Sequence, residues 1–221
     1  MRISIVVPVL NEAAELPETL RRARDPAVEE IVDVDGGSSD ASREIAALLA
    51  DRVLSSPRGR GRQMNAGAAV TRGDVLLFLH ADTWLPTGFG NAVAAALAAG
   101  NLGGRFDVSL RGRHPFLPLV ATLMNLRSRL SRISTGDQAL FVDRDAFDAL
   151  GGFSELPLME DVSFSAALKR RGPTAALRER VSTSARRWEE RGVARTIALM
   201  WALRLAHALG VSPERLARWY R

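Results

Sequence analysis

The sequence predicts an α/β fold: a mostly parallel sheet flanked by helices, with further helices at the C-terminal end. Three observations carry this. Short apolar runs alternate with helical patterns through the first half of the chain, as in repeated βα units with right-handed crossovers. The stretch DVLLFLHADTWLP (74–86) is apolar without a break from Val75 to Leu79 and then turns polar at His80, Ala81 and Asp82. Such a run suits a strand buried on both faces, and Pro86 blocks its extension. Finally, 221 residues suffice for one full core, and no long Gly/Ser or Pro linker marks a second one.

The elements follow in order. Residues 3–7 read as a strand and 12–24 as a helix with Leu16 and Leu20 on one face. A second strand is expected at 30–34, a helix at 40–50, a short strand at 52–54, a helix at 63–70 and the buried strand at 74–79. Beyond it, an Ala-rich helix over 87–99 closes at Gly100, and 103–110 reads as a strand. Helix 115–130, strand 138–143 and helix 161–171 come next, the last stopped by Gly172 and Pro173. Residues 192–209 form a helix apolar almost all round, interrupted by Arg195, Arg204 and His207. Ser212 and Pro213 open a final helix. We expect a main domain over 1–190 and a helical extension over 191–221, packed on that domain or on a partner subunit.

Composition narrows the chemistry. There is no cysteine, which excludes disulfides, thiolate metal sites and cysteine nucleophiles. The start, MRISIVVPVLNE, lacks the apolar core and cleavage site of a signal peptide and argues for the cytoplasmic side. The net charge of +5 is uneven: residues 169–221 hold thirteen Lys or Arg against four Glu. A basic tail suits phosphates, whether of a nucleotide, a lipid headgroup or a nucleic acid. Arginine-rich compositional bias explains it equally well.

In open α/β sheets, ligands bind beyond the carboxyl ends of the strands. Asp82 stands at such an end, where it either holds a cation or a sugar hydroxyl or merely starts a turn. Two further polar turns open helices at that edge. One runs Pro8-Val9-Leu10-Asn11-Glu12 and the other Asp35-Gly36-Gly37-Ser38-Ser39-Asp40. Glu12 and Asp35 are acceptors suited to a base N–H or to ribose hydroxyls, and Gly37 permits close backbone approach; helix capping by Ser39 or Asp40 is the plainer alternative. Arg58, Arg60 and Arg62 lie on a glycine-rich stretch before Gln63 and Asn65, a pattern suited to a diphosphate or to solvated loop charge. No aromatic residue is interleaved to stack bases, which argues against nucleic acid. Asp137 and Gln138 precede a strand, and Glu160-Asp161 opens a helix, where the dipole favours anions and where one carboxylate can serve as a general base. Neither a GxxxxGK[ST] loop nor a GxGxxG after the first strand occurs.

The segments VPVLNE, VDGGSSD, GRQMNAGA, LHADTWLP, GDQALFV, GGFSELPLMEDVSFS and SARRW, in this order, resemble family-2 glycosyltransferases of the GT-A fold. The resemblance covers nearly the whole chain. Its nearest form is the short subgroup associated with radical-SAM genes and proposed arsenosugar biosynthesis. The resemblance implies an inverting transferase that takes a nucleotide-diphosphate sugar and an acceptor hydroxyl, with Mg²⁺ or Mn²⁺. It also implies that Pro8, Asn11, Glu12, Asp35, Gly37, Arg62, Asn65, Ala81 and Asp82 face the nucleotide sugar. Asp82 and His80 are then the metal candidates, Asp161 the base with Glu160 beside it, and Asp137, Gln138, Arg187 and Trp188 contacts to acceptor or diphosphate. Two departures stand out: the metal motif reads His80-Ala81-Asp82 and the turn after the second strand Asp35-Gly36-Gly37, each short of one acid. Ser184 takes the glutamine place of the QxxRW motif, which argues against processive polymerisation.

Two rivals remain at this level, a peripheral membrane or lipid-binding module and a nucleotidyltransferase. The helix over 192–209 is expected to bury Trp201 and Leu205 against protein, in this chain or in a homodimer, rather than to span a membrane.

Overall fold

The computed structural model describes residues 1–220. The first half follows the expected alternation: β1 (Ile3–Val9), α1 (Leu16–Arg22), β2 (Val28–Asp35), α2 (Ser42–Leu49), β3 (Arg52–Ser55), α3 (Arg60–Val70) and β4 (Val75–Phe78). Then come β5 (Thr83–Trp84), α4 (Phe89–Ala98), β6 (Gly103–Arg111), α5 (Leu117–Ser131), a 3-10 turn (Gly136–Gln138), β7 (Leu140–Asp143) and α6 (Arg144–Ala149). The chain closes with α7 (Glu160–Arg171), β8 (Ala175–Ser184), α8 (Arg186–Arg191), α9 (Val193–Ala208) and α10 (Pro213–Tyr220).

One sheet of order β3-β2-β1-β4-β7-β6-β8-β5 organises these elements. β1 runs parallel to β2 and β4, and β2 to β3, so the carboxyl ends of all four open on one edge. β7 lies antiparallel between β4 and β6, while β8 runs parallel to β6 and carries β5 on its outer side. The central strands are apolar at nearly every position because each face meets its own layer. Ile3, Ile5 and Val7 join Leu16, Leu20 and Phe89 on one side. Val6, Leu76 and Phe78 join Met64, Phe147, Phe153 and Phe164 on the other.

Differences from expectation have local causes. The helix expected over 12–24 starts only at Leu16, because Asn11 adopts a φ of 56° and the Glu12 carbonyl accepts the N–H groups of both Glu15 and Leu16. α3 starts earlier than expected, so Arg60 and Arg62 belong to its first turn rather than to a loop. Strand β7 starts at Leu140, not at 138, since Thr135 and Gln138 form a capping box around the 3-10 turn. β8 carries no period-2 signal, because it is half-exposed and holds Arg178, Glu179 and Arg180 in mid-strand.

The expectation for Trp201 and Leu205 fails within the chain: they are 64% and 63% exposed. α9 turns Leu203 and Ala206 inward instead, against Met159 and against Leu216 of α10. A helix apolar on nearly every side carries no periodicity to say which side is buried. No helix among the described residues is long and apolar enough to cross a membrane.

Candidate active site at the carboxyl edge of the sheet

At the carboxyl ends of β1 and β2 the polar turns are tied to each other. Asn11 accepts the Ser39 N–H at 2.8 Å through Oδ1 and donates its own N–H to Ser38 Oγ at 2.9 Å. Asp35, which is buried, accepts N–H groups from Gly37 at 3.1 Å and from Ser38 at 3.0 Å. Gly37 holds a φ of 93°, which an L side chain rarely adopts. Beneath them the buried Gln63 amide donates to the Val9 carbonyl at 2.9 Å and to the Val34 carbonyl at 2.8 Å. A side chain at Gly36 would collide with that amide. The missing second acid of the turn after β2 is thereby explained: its place is filled by Gln63, a staple that nothing in the local sequence announces.

Several residues expected to face a ligand have other partners. Asn65 makes a paired contact with the Phe153 backbone, at 2.8 Å through Nδ2 and 2.9 Å through Oδ1, which fastens the loop before α7. Arg62 pairs with Glu155 at 2.8 Å on the surface. Gln138 is fully buried and donates to Ser128 Oγ at 3.0 Å. Trp188 packs in an apolar cluster with Leu117, Val120 and Val193. Ala81 is buried, its carbonyl accepting the Thr19 hydroxyl at 2.7 Å, while Pro8 is half-buried on β1.

The charged groups gather one strand further on. Asp82 is half-buried in the turn between β4 and β5, its Oδ1 accepting the Thr83 hydroxyl at 3.3 Å. Glu12 lies close enough for the Asp82 charge to act on it, and Arg186 grips both Glu12 oxygens at 2.9 and 3.1 Å. Burial chiefly, and then Asp82, raise the Glu12 carboxyl above its ordinary value against the pull of Arg186. Arg111, from the end of β6, donates to Glu15 at 2.6 Å and to the Asp82 carbonyl at 3.1 Å, and its guanidinium stacks 3.4 Å from the centre of the Trp84 ring. Sequence reasoning misses Arg111 and Arg186; only the SARRW segment points near one of them.

His80 connects this group to the next. A side chain at Gly136 would overlap its Nε2, so the ring rests against the backbone of the 3-10 turn. Burial, followed by the nearby Arg60 and Arg187 charges, lowers its pKa well below the usual histidine value, so the ring is neutral. On the other side of that turn, the Gly136 N–H donates to Asp161 Oδ2 at 2.7 Å. Asp161 Oδ1 accepts the N–H of Val162 at 2.7 Å, at the start of α7. Glu160 is buried, and burial chiefly, with Asp161 next, pushes its carboxyl up to about 7.

Arg127 enters from α5. Its three guanidinium nitrogens are buried without a hydrogen-bond partner, as is Oδ1 of Asp137. Burial lowers the Arg127 pKa, opposed by the Asp137 and Asp161 charges. Burial also raises the Asp137 carboxyl, which Arg127 counteracts. Buried charge left without hydrogen bonds costs several kcal/mol even beside opposite charges, so this is the least satisfied polar region on the edge. Nothing in the local sequence of α5 marks Arg127 apart from its neighbours Arg129 and Arg132.

Among the described residues no group of three or more His, Asp or Glu side chains converges as a ready-made metal cage. The donor set still fits one kind of ion. Mg²⁺ keeps waters and takes one or two carboxylates plus substrate phosphates, and Asp82 offers one such carboxylate, while both oxygens of nearby Glu12 are held by Arg186. His80 fits less well, because its Nε2 is turned to Gly136.

Comparison with known proteins agrees with this architecture. A 97-residue stretch is 38% identical to undecaprenyl-phosphate 4-deoxy-4-formamido-L-arabinose transferase of Pseudomonas aeruginosa, covering 38% of this chain and 29% of that protein. The chain thus spans under a third of the curated relatives it matches. Among solved structures, S. aureus TarS 1–349 in complex with UDP superposes with a TM-score of 0.63 at 18% identity, covering 83% of this chain and 60% of that one. Glucosyl-3-phosphoglycerate synthase from Mycobacterium tuberculosis, in complex with Mg²⁺ and UDP, gives 0.60 at 24% identity over 82% of this chain and 70% of its own. These likenesses show the fold, a GT-A-like α/β arrangement. Residues 4–153 match the family model described as Glycosyl transferase family 2, and the chain therefore belongs to that family of transferases.

Proposed function

We propose that the chain is an inverting glycosyltransferase moving a sugar from a nucleotide-diphosphate donor to an acceptor hydroxyl, with Asp161 as general base. One observation carries the reading: the strand end bearing Asp82 touches, through His80, the same Gly136 turn whose N–H holds Asp161. A carboxylate suited to the leaving-group side and one suited to the attacking side thus share one scaffold. The family membership and the UDP and Mg²⁺ held by a structural neighbour support it.

The acceptor hydroxyl attacks the anomeric carbon from the face opposite the diphosphate. Its proton passes to Asp161, the bond from the anomeric carbon to the diphosphate oxygen breaks, and the nucleoside diphosphate leaves with the electron pair. One displacement inverts the centre and needs no covalent nucleophile. Glu160, with its carboxyl pushed up to about 7, is neutral below that pH and then adds no second negative charge beside the base. Arg186, Arg111 and Arg187 flank Asp82 and place positive charge where the diphosphate departs. Asp82 would hold Mg²⁺ or Mn²⁺, and such an ion neutralises developing phosphate charge. On the resemblance of its motifs we assign the chain to the radical-SAM-associated, arsenosugar-related subgroup acting on the cytoplasmic side.

Thermal-shift titration with nucleoside diphosphates, with and without Mn²⁺, tests the donor assignment. A ligand at one hundred times its dissociation constant adds about 2.7 kcal/mol, so a metal-enhanced shift with UDP or GDP is the expected result. Stabilisation by nucleoside triphosphates alone would favour a nucleotidyltransferase.

A further inference from the structure

α5 and α9 present apolar faces that nothing in the chain covers. On α5 and the residue before it, Phe116, Leu119, Leu123, Leu126 and Leu130 are 60, 56, 52, 51 and 77% exposed. Their spacing of three and four residues puts all five on one side of the helix. On α9 and just beyond, Trp201, Leu205 and Leu209 are 64, 63 and 75% exposed, with Trp219 of α10 at 50%. Elsewhere among the described residues only Met1 and Leu48 are large, apolar and exposed. The two helices meet near their N-terminal ends, where Leu117 and Val120 pack on Val193 and Ile197, so both faces start from a shared corner. Isolated exposed leucines need no explanation, but a concentration of this kind marks an interaction surface.

The charges beside these faces choose the partner. Neither α5 nor α9 contains an Asp or Glu. Arg113, Arg132, Arg195, Arg215 and Arg218 are exposed at their ends and on α10. Two copies of this chain joined through such faces would set arginine mostly against arginine, the one acid on α5, α9 and α10 being Glu214. An anionic bilayer instead offers an apolar interior for the leucines and tryptophans and phosphates for the arginines. We propose that α5 and the α9–α10 pair form a peripheral docking surface for anionic lipid membranes. The inference stands on these helices and is independent of the sugar-transfer reading.

The full chain is sedimented with vesicles of phosphatidylcholine alone and with vesicles that also contain phosphatidylglycerol. Binding is expected to the anionic vesicles only and to weaken with salt. Leu123→Glu with Leu126→Glu, and separately Trp201→Glu with Leu205→Glu, should each lower partitioning about tenfold or more. Circular dichroism and thermal melting establish that the variants fold, and nucleotide binding should be unchanged. No binding to anionic vesicles, or binding that survives both pairs of substitutions, overturns the proposal. So does a concentration-dependent dimer, seen by light scattering, that the same substitutions dissolve without any vesicle binding in the parent chain.

Discussion

The turns after β1 and β2 and the turn before β7 lie on the same edge of the molecule, yet they are built in opposite ways. In the first pair nearly every polar group is spoken for. Asn11, Asp35 and Ser38 bond to one another's backbones and side chains, and Gln63 fastens both strand ends from below. Around the second turn Arg127 and Asp137 are buried with unpartnered atoms, and Glu160 is driven toward neutrality. A braced region suits a ligand that meets a ready-made shape. A region of strained charge suits chemistry, because buried, perturbed titratable groups cluster at functional sites. The contrast teaches that a family motif does not mean one structural role for all its residues: most of the first pair is internally bonded scaffold, and the base we propose sits at the second turn.

The largest expected effect on activity comes from cutting into the second turn. Asp161→Asn keeps the Gly136 contact in outline and removes the proposed base. It should lower sugar transfer by two orders of magnitude or more, about the scale of general-base catalysis, with nucleotide affinity nearly unchanged in a calorimetric titration. Equal loss of both would mean that the two regions are not separable as described.

An exception within the braced region supplies the next test. Asp33 on β2 is fully buried with neither oxygen partnered, and burial chiefly, with Asp35 next, pushes its carboxyl up to about 7 from 3.8. The folded state holds a proton that the unfolded chain releases. The stability from this group is therefore complete below the unfolded pKa near 4 and is lost as the pH rises through about 7. The shift corresponds to roughly 4 kcal/mol if fully expressed. Asp33→Asn should flatten the fall in melting temperature between pH 4 and 8, and an unchanged pH profile would show that Asp33 is relieved by water.

The smallest effect expected is at Asp82. Asp82→Asn should remove the enhancement of nucleoside-diphosphate binding by Mn²⁺, a change of about tenfold when one charge-assisted interaction is removed. The melting temperature should hold. Metal enhancement equal to that of the parent chain would place the ion elsewhere.

The fold was largely legible because its central strands are buried on both faces, and buried strands write themselves as unbroken apolar runs. What escaped was half-exposed or context-dependent. β8 alternates poorly because its middle faces solvent, and α9 is apolar all round, so neither carried a usable period. In the site, the sequence could mark Asp82, Glu160 and Asp161 because a strand end and a helix start are visible locally. It could not show that Asn65 and Gln138 turn to backbone and side-chain partners elsewhere in the chain, nor that Arg62 finds Glu155 on the surface. Arg111, Arg127 and Arg186 stayed hidden for the converse reason. Arginine is abundant here, and only long-range packing distinguishes the few that reach the edge of the sheet.

The central claim, displacement of a nucleoside diphosphate from a sugar by an acceptor activated at Asp161, is tested most directly by nuclear magnetic resonance of the reaction mixture. A panel of α-linked nucleotide sugars is incubated with Mn²⁺-free, Mg²⁺-loaded protein and a set of hydroxyl acceptors, and both the released nucleotide and the product's anomeric proton are read. Free nucleoside diphosphate and a β-linked product are expected from one donor class, both absent with Asp161→Asn. A product that keeps the α configuration, or undiminished turnover in the Asp161→Asn variant, would contradict it.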